Sequence, residues 1–117
     1  MMMNSAEKRI SPRIPVKINV NFLLEGDYLI SLSKDISPDG MFLSTESPIN
    51  VGQTLELSFK IENMEFNVNA EVVWVNYTGS LQDKGMGIRF TNMNPETKDL
   101  MLTAVKRVAI LEGHRLS

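Results

Sequence analysis

Apolar and polar residues alternate with a period of two along most of this 117-residue chain. The alternation is cleanest over Leu55–Ile61 and Phe66–Trp74, where every second side chain is apolar. Successive side chains of a β-strand point to opposite faces, so the pattern indicates strands with one buried face. Shorter strand-like runs begin at Val16, Tyr28, Met41 and Met86. Short strands separated by polar turns predict an antiparallel barrel or sandwich.

The last part of the chain changes to a helical period. Asn94 is a good N-cap and Pro95 suits the first helical position, which predicts a helix over residues 95–112. Apolar residues at helical spacing form its predicted buried stripe: Leu100, Ala104, Val105, Val108 and Leu111. The run Val108–Leu111 is apolar over a full turn. Either the barrel buries this turn completely, or one side of it is offered to a partner.

Composition excludes several classes of function. The chain has no cysteine and its one histidine is His114, which removes disulfides, thiolate nucleophiles and His-rich metal sites. With 12 basic and 14 acidic residues it lacks the basic surface of a nucleic-acid coat. No basic, apolar leader and no run of about 20 apolar residues is present. We therefore expect a cytoplasmic protein without membrane insertion and without catalytic or metal-binding residues.

Charge is distributed unevenly along the chain. Residues 1–20 carry four basic side chains and one acidic one, whereas residues 21–117 carry 8 basic and 13 acidic ones. The basic group contains Lys8, Arg9 and Arg13, and two prolines nearby disfavour a helix there. Guanidinium groups suit phosphate oxygens, guanine edges and aromatic planes. The segment is interpreted either as an arm for an anionic ligand or as a solvated, flexible terminus.

A second polar segment joins two predicted strands. In Asp35-Ile36-Ser37-Pro38-Asp39-Gly40, the aspartate and serine can bond nearby backbone N–H groups, and the glycine tolerates tight turns. The plain interpretation is a connecting turn. The functional one is a ligand loop, because a carboxylate can accept from the N–H edge of guanine and a glycine allows close approach.

Together the two segments resemble the PilZ domain family. The resemblance rests on R-x-x-x-R (Arg9, Arg13) followed by D-x-S-x-x-G (Asp35, Ser37, Gly40) in the expected strand context. It implies an all-β fold with a C-terminal helix, a six-stranded antiparallel β-barrel. It also implies a flexible arm over residues 1–13, with the barrel and helix over 14–117. Two later stretches are similar to the family as well: residues 70–74 and 85–90.

The resemblance further implies a receptor, not an enzyme, that binds the bacterial second messenger cyclic di-GMP and needs no cofactor. The implied ligand-binding residues are Lys8, Arg9, Arg13, Asp35, Ser37 and Gly40. Binding would order the arm and present a new surface to a downstream protein, as in motility or biofilm signalling. The alternative is a PilZ-like interaction adaptor that does not bind the nucleotide. Trp74 shares the inward phase of its strand, so we expect it in the core; the alternative is a stacking position at the barrel rim.

Overall fold

The computed structural model describes residues 13–80 and 83–111, which form seven strands and one helix. The strands are β1 Ile14–Pro15, β2 Asn19–Leu24, β3 Asp27–Ser37, β4 Gly40–Ser44, β5 Thr54–Ile61, β6 Met64–Asn76 and β7 Gly85–Phe90. The helix, α1, spans Pro95–Leu111.

The strands close into a barrel. Their order is β1-β3-β2-β5-β6-β7-β4, and a further pairing of β3 with β4 joins the two ends of the sheet. All pairings are antiparallel. Six strands therefore form the closed barrel, and the short β1 is added beside β3. The predicted six-stranded antiparallel barrel with a C-terminal helix is confirmed.

The barrel encloses one hydrophobic core. Alternate side chains of the long hairpin β5–β6 point inward as predicted, and α1 adds its own buried face. Fully buried residues are contributed by nearly every element: Val20, Phe22, Ile36, Met41, Leu43, Leu55, Ile61, Ala70, Val72, Met86, Met101, Ala104 and Val105.

The first predicted strand, from Val16 onward, starts later than expected. A two-residue strand comes first, and regular pairing begins only at Asn19. Between them the buried hydroxyl of Ser33 accepts a hydrogen bond from the Ile18 amide at 3.0 Å and donates one to the Val16 carbonyl at 2.6 Å. A side chain thus replaces part of the backbone ladder, and β3 bulges between Ser33 and Asp35.

The second predicted strand forms, but its apolar row faces outward. Tyr28 and Ile30 are 73 % and 72 % exposed, whereas Ser31 and Ser33 are buried on the core side. This arrangement follows from the register, because Ser31 pairs with the fully buried Val20 of β2.

The helix begins where the sequence predicts. The Asn94 side chain accepts a hydrogen bond from the Thr97 amide at 2.8 Å, which caps the first turn. The predicted stripe is partly wrong, because Leu100 and Leu111 are exposed and Met101 takes the buried position. Complete burial of the turn ending at Leu111 is therefore excluded. The predicted end at residue 112 lies outside the described residues.

Candidate functional site

An ion pair joins the two predicted polar segments. The Arg13 guanidinium donates to Asp35 Oδ1 from Nη2 at 2.6 Å and from Nε at 3.0 Å. The register of β1 and β3 brings the two residues together, since Pro15 pairs with Asp35 and Arg13 lies just before β1. Both side chains are partly exposed. An ion pair in this position adds little stability, and both partners can be redirected towards a ligand.

Ser37 stabilises the turn between β3 and β4. Its hydroxyl accepts from the Asp39 amide and donates to the Gly40 carbonyl, both at 3.3 Å, and the residue is 2 % exposed. Asp39 forms an ion pair with Lys98 at 3.4 Å, which joins this turn to the start of α1. In the described structure the serine hydroxyl therefore serves the turn.

Gly40 allows β4 to lie close against β7. It pairs with Arg89, and a Cβ added at Gly40 would overlap the carbonyl group of Ile88. Because that neighbour is backbone, no side-chain rotation relieves the overlap. Strand packing is thus a sufficient reason for a glycine at this position of the predicted motif.

A cleft of about 630 Å³ opens beside the ion pair, within the size range of small-molecule sites. Its lining combines cations, carboxylates, an amide and two aromatic rings: Arg13, Lys34, Asp35, Phe42, Trp74, Asn76, Thr78, Gly79 and Asp83. Ser37 and Gly40 do not line it. Of the six predicted ligand-binding residues, Arg13 and Asp35 thus meet at the cleft.

Two aromatic rings form the apolar part of the cleft. The Phe42 and Trp74 ring centroids are 5.3 Å apart with planes inclined by 31°. The indole lies across Gly87, where a Cβ would overlap it. Lys34 Nζ is 5.7 Å from the Phe42 ring centroid and 3.7 Å from Asp83 Oδ1. A flat aromatic wall beside two cations, each paired with a carboxylate, suits a planar aromatic ligand that carries polar or charged groups.

The prediction that Trp74 lies in the core is wrong, since its side chain is 51 % exposed. The cause is a bulge in β6: Val72 pairs with Ile88, but Trp74 pairs with the next residue back, Gly87. Val73 is the extra residue, and it shifts the alternation by one position. Val75 then packs against the core instead. The consecutive apolar residues at 72–75 were the signal that the strict alternation ends there.

Other cleft residues were missed by sequence reasoning. Lys34, Phe42 and Asn76 come from β3, β4 and β6, and they come together only because β4 pairs with β3 and β7 while β7 pairs with β6. Lys8 and Arg9 lie outside the described residues. Of the predicted arm over residues 1–13, only Arg13 is described. Within residues 13–80 and 83–111, no group of three or more metal-binding side chains occurs, and no helix is long and apolar enough to cross a bilayer.

Comparison with known structures shows the fold. The chain is similar to the Bacillus subtilis inhibitor of motility MotI/DgrA (TM-score 0.69, 16% identity), with 92% of this chain and 53% of that one covered. The present chain thus spans about half the length of MotI/DgrA. It is also similar to the PilZ domain of CeSA from a cellulose-synthesizing bacterium (TM-score 0.61, 16% identity, 89% and 100% covered). The PilZ domain of Escherichia coli YcgR, solved with c-di-GMP, gives a TM-score of 0.70 at 17% identity, with 91% and 97% covered.

Sequence comparison shows the family. A search among curated proteins finds no match. The family model of the PilZ domain matches residues 7–107, which is most of the chain and includes the ion pair, the cleft and the start of the helix. The chain belongs to the PilZ domain family.

Proposed function

We propose that the chain is a receptor that binds cyclic di-GMP in the cleft beside Arg13 and Asp35. The observation that carries the proposal is the position of this ion pair at the mouth of a cleft with an open indole face. The ligand has two guanines and two phosphates. A guanidinium suits the O6 and N7 acceptors of guanine or a phosphate, and a carboxylate suits its N1 and N2 donors.

Charge supports the same ligand. Residues 21–117 contain an excess of acidic side chains, yet Arg13 and Lys34 line this cleft. Each of these cations is paired with a carboxylate of the same cleft, Asp35 or Asp83, so a dianion would bind by taking over Arg13 and Lys34 from these carboxylates. Lys8 and Arg9 precede Arg13 in the sequence and are proposed to hold the phosphates. Ser37 and Gly40 contribute by shaping the turn that follows Asp35 along β3.

Trp74 is proposed to stack on one guanine. The indole is half exposed, lies beside Phe42, and rests on a position without a side chain. Stacking of a base on an aromatic side chain contributes about 1–3 kcal/mol. Of the two alternatives for Trp74, a core position and a stacking position at the barrel rim, the proposed site therefore uses the second.

Titration calorimetry with cyclic di-GMP tests the proposal. Arg13→Ala and Asp35→Ala should each weaken binding by about 1–3 kcal/mol, or about 5- to 150-fold, because each removes a guanine or phosphate contact. GTP should bind much more weakly than the cyclic dinucleotide.

Arg89→Ala and Glu71→Ala are the matched controls. Their ion pair has the same 2.6 Å separation and similar exposure, but neither residue lines the cleft. The controls should keep wild-type affinity. If the wild-type protein takes up no cyclic di-GMP, the receptor proposal fails and the protein is an interaction adaptor. If all four variants bind equally, the site is elsewhere.

A further inference from the structure

The first half of β3 is an open, apolar sheet edge. Asp27–Leu32 pair with β2 on one side, but pairing with β4 on the other side begins only at Leu32. No strand of residues 13–80 and 83–111 pairs with that second side of residues 27–31. Tyr28 and Ile30, on the outer face of this open segment, are among the most exposed large apolar residues described. Natural proteins usually protect such edges with charges, prolines or bulges.

The backbone groups at this edge are directed outward by the hairpin register. The two-residue turn Glu25–Gly26 makes Leu24 and Asp27 a hydrogen-bonded pair, and such pairs then recur at every second residue. Ser33 confirms that the odd-numbered residues of β3 bond towards β2, because its amide donates to the Ile18 carbonyl at 3.0 Å. The N–H and C=O groups of Tyr28 and Ile30 therefore point away from β2, to the open side.

The side chains around the edge indicate what would pair with it. A shallow cleft of about 320 Å³ continues the edge towards β4, with Ile30 and Leu32 in its lining. Ser31 also lines this cleft, but its buried Oγ lies on the core side of β3 and is not available to a strand added at the edge. The charged residues at the hairpin and in the cleft are acidic: Glu25, Asp27 and Glu46. The first basic residue along β3 is Lys34, which faces Asp83.

We propose that residues 27–31 of β3 bind an extended peptide segment of a partner protein by strand addition. The segment would hydrogen-bond to the backbone of Tyr28 and Ile30 and place alternate apolar side chains on them. Lysine or arginine residues at its ends would lie beside Glu25, Asp27 and Glu46.

A second copy of the chain fits this edge less well. If two copies paired antiparallel with Leu29 at the centre, the Glu25–Gly26 turn of the second copy would lie beside Leu32 of the first. That position is already occupied by Ser44 of β4. Such pairing would also bring that turn's carboxylate towards Glu46 of the first copy. A short basic peptide has neither conflict.

The surface is separate from the proposed nucleotide site. Asp35 lies six residues beyond Leu29 on the same strand, or about 20 Å at about 3.3 Å per residue. The test is therefore done without nucleotide, and its result does not depend on the receptor proposal.

The probe is a short synthetic peptide in which valine and threonine alternate between lysines at both ends. Binding is followed by fluorescence anisotropy and by amide hydrogen exchange. We expect saturable binding and slower exchange at the amides of Tyr28 and Ile30. Ile30→Lys should weaken binding about tenfold or more, while Leu100→Lys, which changes an exposed apolar residue on α1 to the same charge, should not.

Two altered peptides separate the contribution of the terminal charges from that of the backbone hydrogen bonds. Glutamate in place of the terminal lysines should weaken binding because of repulsion, and methylation of alternate backbone nitrogens should abolish it because the ladder cannot form. Absence of binding, equal binding of the methylated peptide, or unchanged exchange at Tyr28 and Ile30 would overturn the proposal. A wild-type dimer that Ile30→Lys dissociates would also overturn it, by assigning the edge to a second copy. Tyr28→Lys repeats the test if Ile30→Lys does not fold.

Discussion

Replacing Gly40 with alanine should destabilise the barrel in the absence of any ligand. The added methyl group would overlap the Ile88 carbonyl on β7, and the neighbouring atoms are also backbone. The strands can accommodate it only by separating where Gly40 pairs with Arg89. Overpacking of this kind costs about 1–3 kcal/mol, and a weakened ladder hydrogen bond adds about 0.5–1.5 kcal/mol.

The effect of the substitution on the unfolded chain opposes this loss of stability and is smaller. Alanine restricts the unfolded chain and so returns about 0.4–1 kcal/mol. These ranges give a net loss in the free energy of unfolding of about 0.5–4 kcal/mol, centred near 2 kcal/mol, or a fall in Tm of about 10 °C for a domain of this size. Urea unfolding followed by circular dichroism measures it directly.

Gly87→Ala is the matched control for Gly40→Ala. Its methyl group would overlap the indole of Trp74, which is half exposed and can rotate away. Its effect on unfolding should therefore be smaller. If Gly40→Ala unfolds at the wild-type urea concentration and loses only ligand binding, then Gly40 serves ligand approach and the packing argument is refuted.

Three further predictions concern single side chains. Trp74→Ala should weaken cyclic di-GMP binding by about 5- to 150-fold with little change in Tm; unchanged affinity in calorimetry would remove the indole from the site. Ser33→Ala should cost about 1–3 kcal/mol in urea unfolding, because its buried hydroxyl makes two hydrogen bonds, whereas Ser31→Ala should cost nothing. The hydrogen bond from Arg107 lowers the pKa of Glu62 below its ordinary 4.5, so its stabilisation is present above that value and is lost as pH falls through the folded-state pKa. Glu62→Gln should therefore be less stable than wild type at neutral pH but not at a pH below the folded-state pKa of Glu62, and an equal difference at both pH values would contradict this.

Strict alternation predicted the hairpin β5–β6 and its buried face as far as Val72, because the residues before the bulge meet their partners in regular register. The capping residue Asn94 likewise predicted the start of α1, because its interaction is local. Tyr28 and Ile30 show the limit of this reasoning. An alternating run gives a strand but not which face the barrel encloses, and here the register with β2 turns the serines inward.

The candidate site was partly predictable for the same reason. Arg13 and Asp35 could be singled out by residue type and spacing, and the pairing of β1 with β3 brings them together. Trp74 could not be placed, because its position depends on the bulge at Val73. Gly40 was singled out for ligand approach, whereas the contact that the structure shows is with the Ile88 backbone, which only the closed barrel reveals.

The central claim is that cyclic di-GMP binds in the cleft formed by Arg13, Asp35 and Trp74. Trp74 is the only tryptophan of the chain, so its fluorescence reports on this cleft alone. Titration of the wild-type protein with cyclic di-GMP should quench this fluorescence saturably, because a guanine stacks on the indole. The same titration of Arg13→Ala should need about 5- to 150-fold more ligand. Fluorescence that stays constant while calorimetry detects binding would place the ligand elsewhere and contradict the account.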